Sequence, residues 1–308
     1  ILLLQEAAVT YKGMSKEEVA TYVTTDDFQH YWQRANERIS SSFSGLHFGH
    51  YKAARFNYAL SALHAEKLSL AARSGIPLSW WGFGVTVLLE KIMGNNFVHK
   101  LRAICLLEAD FNWWNKLVFA RRMMTLAREK GAIPDDCFSK KYSHANDANM
   151  TKTLACDWSK ILHWPMGAGG CDFSECFDRA AHGPASISMQ AWGMPTAAVR
   201  LMLKALQTMQ FCLRTGFGES KAFFGGTEED PQAGYGQGSG AAPPGFSALS
   251  ALVVNAYKRA GCGAKFMSAY SARLYLIAAV MYVDDTDLLH LASSQTSSDA
   301  SLISRVQE

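Results

Sequence analysis

The stretch 274–291 constrains this chain most. Ten uncharged, mostly apolar residues, Leu274 to Val283, lead into Asp284-Asp285, and Leu288, Leu289 and Leu291 follow closely. Two apolar runs around a short polar centre predict a hairpin of two buried strands. A plain turn would usually carry Gly or Asn at that centre, and neither is present. Adjacent carboxylates at a hairpin tip repel one another, and a divalent cation removes the repulsion.

A second acidic group lies far upstream, where Asp172, Glu175 and Asp178 follow a short Gly/Ala stretch. Oxygen ligands drawn from separate segments suit Mg²⁺ or Mn²⁺ and not zinc. Cys171 and Cys176 have no second pair at a matching spacing, so they read as core thiols. His47 and His50 lack a third ligand and read as structural or RNA-facing. No Ser/His/Asp constellation stands out.

Between the acidic groups, residues 216–245 hold nine Gly and three Pro. Pro243-Pro244 then opens an apolar, breaker-free run from Phe246 to Tyr257, which predicts a buried helix. Glycines just before a helix N-terminus predict close backbone approach and a preference for anions.

The rest of the chain fits a globular protein. Its 308 residues are 49% hydrophobic and 19% charged, which excludes wholesale disorder. No apolar run reaches the ~20 residues that span a bilayer. The start lacks the basic n-region of a signal peptide and an initiator Met, which suggests a piece of something longer. Seven scattered cysteines fit buried thiols in a reducing compartment. The net charge of +3 does not announce a nucleic-acid binder, but residues 91–141 carry ten Lys/Arg against five Asp/Glu. That local +5 leaves about −2 elsewhere and is either a phosphate-facing surface or an ordinary solvated face. Expected elements are a capping box at Ser15/Glu18, a helix over Ala53 to Ala72 ended by Gly75-Ile76-Pro77, a strand and turn over 82–95, and a helix over Asp110 to Lys130.

Taken in order, these segments resemble a reverse transcriptase of the non-LTR (LINE-type) retrotransposon group, in the form found in algae such as diatoms. Tyr282-Val283-Asp284-Asp285 resembles the Y-x-D-D hairpin. Asp172 to Asp178 resembles D-x4-[FY]-D, and Gly236-Gln237-Gly238-Ser239 resembles the Q-G-S motif. Leu101 to Leu106, with Asp110 and Asn115-Lys116, resembles the fingers block, and Ile133-Pro134-Asp135-Asp136 resembles the segment after it. Gly45 to Lys52 is similar to G-R-H-x-G-H-Y-K. The chain departs from the pattern at Leu46, at Asn112 (often Lys), and at Cys137-Phe138-Ser139 (usually Gln-aromatic-Gly).

The resemblance implies an RNA-directed DNA polymerase that joins dNTPs to a DNA primer on an RNA template, with two Mg²⁺ ions (or Mn²⁺). It implies Asp172, Asp284 and Asp285 as catalytic, metal-binding carboxylates, with the Phe173 carbonyl as a further ligand. Nucleotide contacts fall to Arg102, Lys100, Phe177, Gln237, Gly238 and Tyr282, with Phe177 excluding a 2′-hydroxyl by bulk. The implied fold is α/β (α+β): a helical extension (1–80), fingers (81–165), and an antiparallel palm sheet backed by helices (166–308), with the thumb absent. A nuclear location is implied by the resemblance; the short apolar runs predict no membrane, and the sequence identifies no protein partner. Two other readings stay open: a degenerate, inactive fragment that at most binds nucleic acid, and an RNA-dependent RNA polymerase. Val283 and Phe177 disfavour the latter, which would have Gly before the Asp pair and a polar residue under the sugar.

Overall fold

The computed structural model describes residues 2–12, 18–40, 42–95, 97–268 and 270–292. Ser15 and the Ser-rich stretch from Ser293 lie outside them. The architecture is mixed α/β, with no helix among the described residues long and apolar enough to cross a membrane.

Four helices come first: α1 (Leu2–Thr10), α2 (Thr25–Gln33), α3 (Phe48–Ala54) and α4 (Tyr58–Ser74). The single helix expected from Ala53 is broken, because Asn57 adopts an extended backbone and caps α4 by accepting the Leu60 N–H at 3.1 Å. Gly75, at φ +69°, ends α4 as expected. The two histidines are structural caps. His47 Nδ1 accepts the Gly49 N–H at the start of α3, and His50 Nδ1 accepts the His47 N–H.

Strands β1 (Phe83–Glu90) and β2 (Leu101–Leu106) pair antiparallel. The next helix runs from 109 to 129 as α5 (Ala109–Asn115), a π-helical stretch (Lys116–Met123) and α6 (Met124–Glu129). Its Trp113, Trp114 and Phe119 join Phe28, Trp32 and Trp81 in the main core, which binds the N-terminal helices to the rest. Asp110 is buried here. Its carboxylate accepts the Trp81 indole N–H at 2.8 Å and lies 3.4 Å from Lys67 Nζ, so it anchors helices and not a ligand.

After α7 (Ala145–Leu162) come β3 (Met166–Asp172), α8 (His182–Ala191), α9 (Thr196–Gln207), β4 (Gln210–Thr215), β5 (Gly218–Glu219) and β6 (Phe224–Gly225). Strand β4 lies parallel to β1, so the sheet β2-β1-β4-β5, with β6 also on β4, combines segments from both halves of the chain. The chain ends its described course with α10 (Ala242–Arg259), β7 (Ala264–Met267), β8 (Leu274–Ile277), β9 (Ala279–Tyr282) and β10 (Asp285–Leu291). A separate antiparallel sheet has the order β3-β10-β9. Gly167, Gly169 and Gly170 give β3 poor strand propensity, yet it pairs with β10 along its whole length. The expected hairpin is present, but its first arm breaks at Ala278. β9 is buried there, whereas β8 pairs with β7 and is more exposed. All seven cysteines are free, and Cys171 is exposed.

Candidate active site

Strand β3 ends at Asp172 and β10 begins at Asp285. The antiparallel register sets the two residues opposite each other, which places their Cα atoms about 4.5–5.5 Å apart. Opposed residues share a sheet face, so both carboxylates leave on the same side. Asp284 occupies the two-residue turn between β9 and β10, and its carbonyl accepts the Phe173 N–H at 3.4 Å. The other turn residue, Val283, has φ +57°. A β-branched residue pays a steric cost in that left-handed region, so strain is stored immediately before Asp284. Tyr282, half-exposed, pairs with Asp285 across the turn.

Asp172, Asp284 and Asp285 are exposed, and none forms an ion pair among the described residues. Asp287, on the same face of β10 as Asp285, differs: Lys152 Nζ from α7 lies 2.6 Å from its Oδ2. The acidic field registers on the buried Cys176 thiol. Burial, then Asp284, Asp178 and Asp172, pushes its pKa up to about 11.

Three unpaired carboxylates of this kind fit a hard divalent cation, which prefers oxygen ligands and retains several waters. No three His, Cys, Asp or Glu side chains among the described residues converge on one point as they stand. The exposed aspartates have rotamers free to turn towards a common ion. The residues that could hold one are Asp172, Asp284, Asp285 and the Phe173 carbonyl.

The segment after Asp172 meets the glycine-rich loop. The Tyr235 N–H donates to the Phe177 carbonyl at 2.7 Å, and the Gln237 main chain lies near enough to the Asp178 carboxylate to favour its charged form. Burial nevertheless raises the Asp178 pKa. The Gln237 carbonyl accepts the Cys105 N–H at 2.7 Å, so the loop runs along the free edge of β2. Gly238, at φ +108°, leaves no room for a side chain, since a Cβ would lie 2.5 Å from the Cys105 carbonyl. Phe173 and Phe177 both meet Phe246 of α10 edge-to-face, with centroids 5.7 and 6.0 Å away.

The expected anion site at the start of α10 is not available. Ser239, Gly240, Ala241 and Ala242 each donate their N–H within the protein, to Gly236 O, Asn112 Oδ1, Ser239 Oγ and Ser239 O respectively. Pro243 and Pro244 have no N–H to offer. The helix opening that looked free in sequence is therefore closed by its own loop together with Asn112 of α5.

No family model and no curated protein matches the chain.

The carboxylates, Phe173 and Tyr282 thus form one group, and Phe177, Gln237 and Gly238 form an adjoining one. Arg102 and Lys100 belong to neither by contact. Both are exposed, and strand alternation puts Arg102 on the sheet face opposite Ala103 and Cys105. Those two line a cavity of about 360 Å³ together with Asp178, Gly234 and Tyr235.

Several residues that organise the site carry little sequence signal. Asn112 clamps the loop at two points, donating to the Gly238 carbonyl at 3.0 Å and accepting the Gly240 N–H at 2.5 Å. His182 Nε2 donates to the Gly234 carbonyl at 2.6 Å, while its Nδ1 accepts from Gln207 at 3.0 Å. Burial holds its pKa below the ordinary histidine value. Asn112 was visible as a departure from Lys, but not as a clamp.

Proposed function

We propose that this chain is an RNA-directed DNA polymerase domain of a non-LTR retroelement, adding deoxynucleotides to a primer 3′-hydroxyl. One observation carries the reading. Two acidic segments more than a hundred residues apart in sequence meet across β3 and β10, which sets Asp172 opposite Asp285 and next to the turn that carries Asp284, with no cation paired to any of the three among the described residues. In this reading the three-stranded sheet is the palm and the five-stranded sheet belongs to the fingers.

Phosphoryl transfer from a triphosphate needs positioning and charge neutralisation more than it needs a protein nucleophile. Bound Mg²⁺ or Mn²⁺ would supply that neutralisation at the primer hydroxyl and the leaving pyrophosphate. Asp172, Asp284, Asp285 and the Phe173 carbonyl would hold the ions. Phe177, braced by Phe246, would lie under the sugar and reject a 2′-hydroxyl. Gln237 and Gly238, fixed by Cys105 and Asn112, would present backbone to the incoming nucleotide and template. Arg102 on β2, and Lys100 in the turn just before it, would meet the triphosphate from the fingers, where a planar guanidinium suits phosphate oxygens.

Primer extension on an RNA template tests this. Wild-type protein should extend with dNTPs and Mg²⁺. Asp284→Ala should lower the rate by about a hundredfold or more without lowering the melting temperature. Phe177→Ala should admit ribonucleotides. Extension that survives Asp284→Ala rejects the assignment. Nucleic-acid binding by a wild type that never extends a primer supports the binding-fragment reading instead.

A further inference from the structure

One buried carboxylate bonded to the carboxylate hairpin is given no role by the polymerase reading. Asp136 is buried, at 4% exposure. Its Oδ1 accepts the Ala278 N–H at 2.8 Å and the Ala279 N–H at 3.0 Å. Its Oδ2 is paired with Lys258 in the last turn of α10. Its main chain also takes part: the Asp136 carbonyl accepts the Met281 N–H at 3.0 Å, and the Phe138 N–H donates to the Met281 carbonyl at 2.8 Å. Cys137 bridges Met281 in parallel. Residues 136–138 therefore run beside β9 on the edge away from β10.

Successive amides of an extended strand point in opposite directions. Ala278 and Ala279 are consecutive, yet both N–H groups reach one oxygen. The chain must bend there, and it does: β8 stops at Ile277 and β9 starts at Ala279. β9 has only four residues before the turn that carries Asp284. A one-residue slip would turn every β9 side chain to the other face and move the turn. The bend held by Asp136 opposes that slip. Lys258 balances the charge, which would otherwise stand buried and unpaired.

We infer that Asp136 is a positioning residue for the carboxylate hairpin, acting through the amides of Ala278 and Ala279 to keep Asp284 and Asp285 beside Asp172. The inference deepens the reading above and rests on it for the identity of what the hairpin holds.

The test uses the full chain as wild type, Asp136→Ala and Asp136→Asn. Mn²⁺ binding is followed by electron paramagnetic resonance well below the melting temperature, and amide exchange is read over 278–285. Asp136→Ala should weaken Mn²⁺ binding about tenfold, the scale seen for outer-sphere partners of metal ligands. Protection should fall at Ala278, Ala279 and onward into Asp284 and Asp285. Asp136→Asn keeps an oxygen for both amides but sets an amide NH2 against the Lys258 ammonium in place of the ion pair, so it should fall between Asp136→Ala and wild type. A folded Asp136→Ala with wild-type Mn²⁺ affinity overturns the inference. If Asp136→Ala does not fold, wild-type affinity in Asp136→Asn together with unchanged exchange overturns it. If wild type binds no Mn²⁺, the metal reading fails by itself. Exchange then decides the positioning role: loss reaching Asp284 supports it, and loss confined to Ala278 and Ala279 overturns it.

Discussion

Asp172 and Asp285 face each other across β3 and β10 with no cation paired to either among the described residues. Like charges directly opposed in an antiparallel pair destabilise it by roughly 0.2–1 kcal/mol. Asp285→Asn should therefore stabilise the metal-free protein by about that amount in urea melts. Added Mg²⁺ should stabilise wild type more than the variant and close the gap. Destabilisation by Asp285→Asn, unaffected by Mg²⁺, would show that the pair is not under repulsion.

Asn112 joins the helix after β2 to the glycine-rich loop through one donated and one accepted hydrogen bond. Asn112→Ala removes both and leaves the Gly240 N–H without its acceptor. The expected loss is about 1–3 kcal/mol of stability, with faster proteolysis in residues 236–240. Unaltered proteolysis there would mean that the main-chain bonds to Cys105 and Phe177 hold the loop unaided.

His182 gives a pH dependence of definite sign. Burial depresses its folded-state pKa, and the Gly234 carbonyl offsets this only partly. Below the unfolded value of about 6.5, the unfolded chain takes up a proton that the folded one resists. Stability is thus complete above that pH and is lost as pH falls towards the folded pKa. His64 is depressed by burial too and contributes in the same direction. His182→Gln, which can still donate to Gly234, should show a shallower decline between pH 7.5 and 5.5. An identical slope would assign the effect elsewhere.

Local signals were legible where the relevant physics is local. Proline and glycine marked the start of α10 and the end of α4, and apolar spacing marked the helix over 109–129. The paired aspartates marked the turn. The anion expectation at α10 failed because which amides remain free depends on Asn112 and on Ser239 folding back, as well as on the prolines. Strand β3 was obscured by its glycines, since its stability comes from β10, over a hundred residues later. Asp136 and Asn112 were illegible as organisers for the same reason. Their partners lie 142 and 126 residues away, and no spacing rule in a single sequence reaches that far.

The central claim, that three aspartates share divalent ions at one sheet end, is tested most directly by a crystal structure with Mn²⁺ located by its anomalous scattering. The proposal predicts manganese within about 2.0–2.6 Å of carboxylate oxygens from both Asp172 and Asp284, the range of hard-cation ligation. Manganese bound elsewhere, or held by Asp284 while Asp172 turns away, would contradict it.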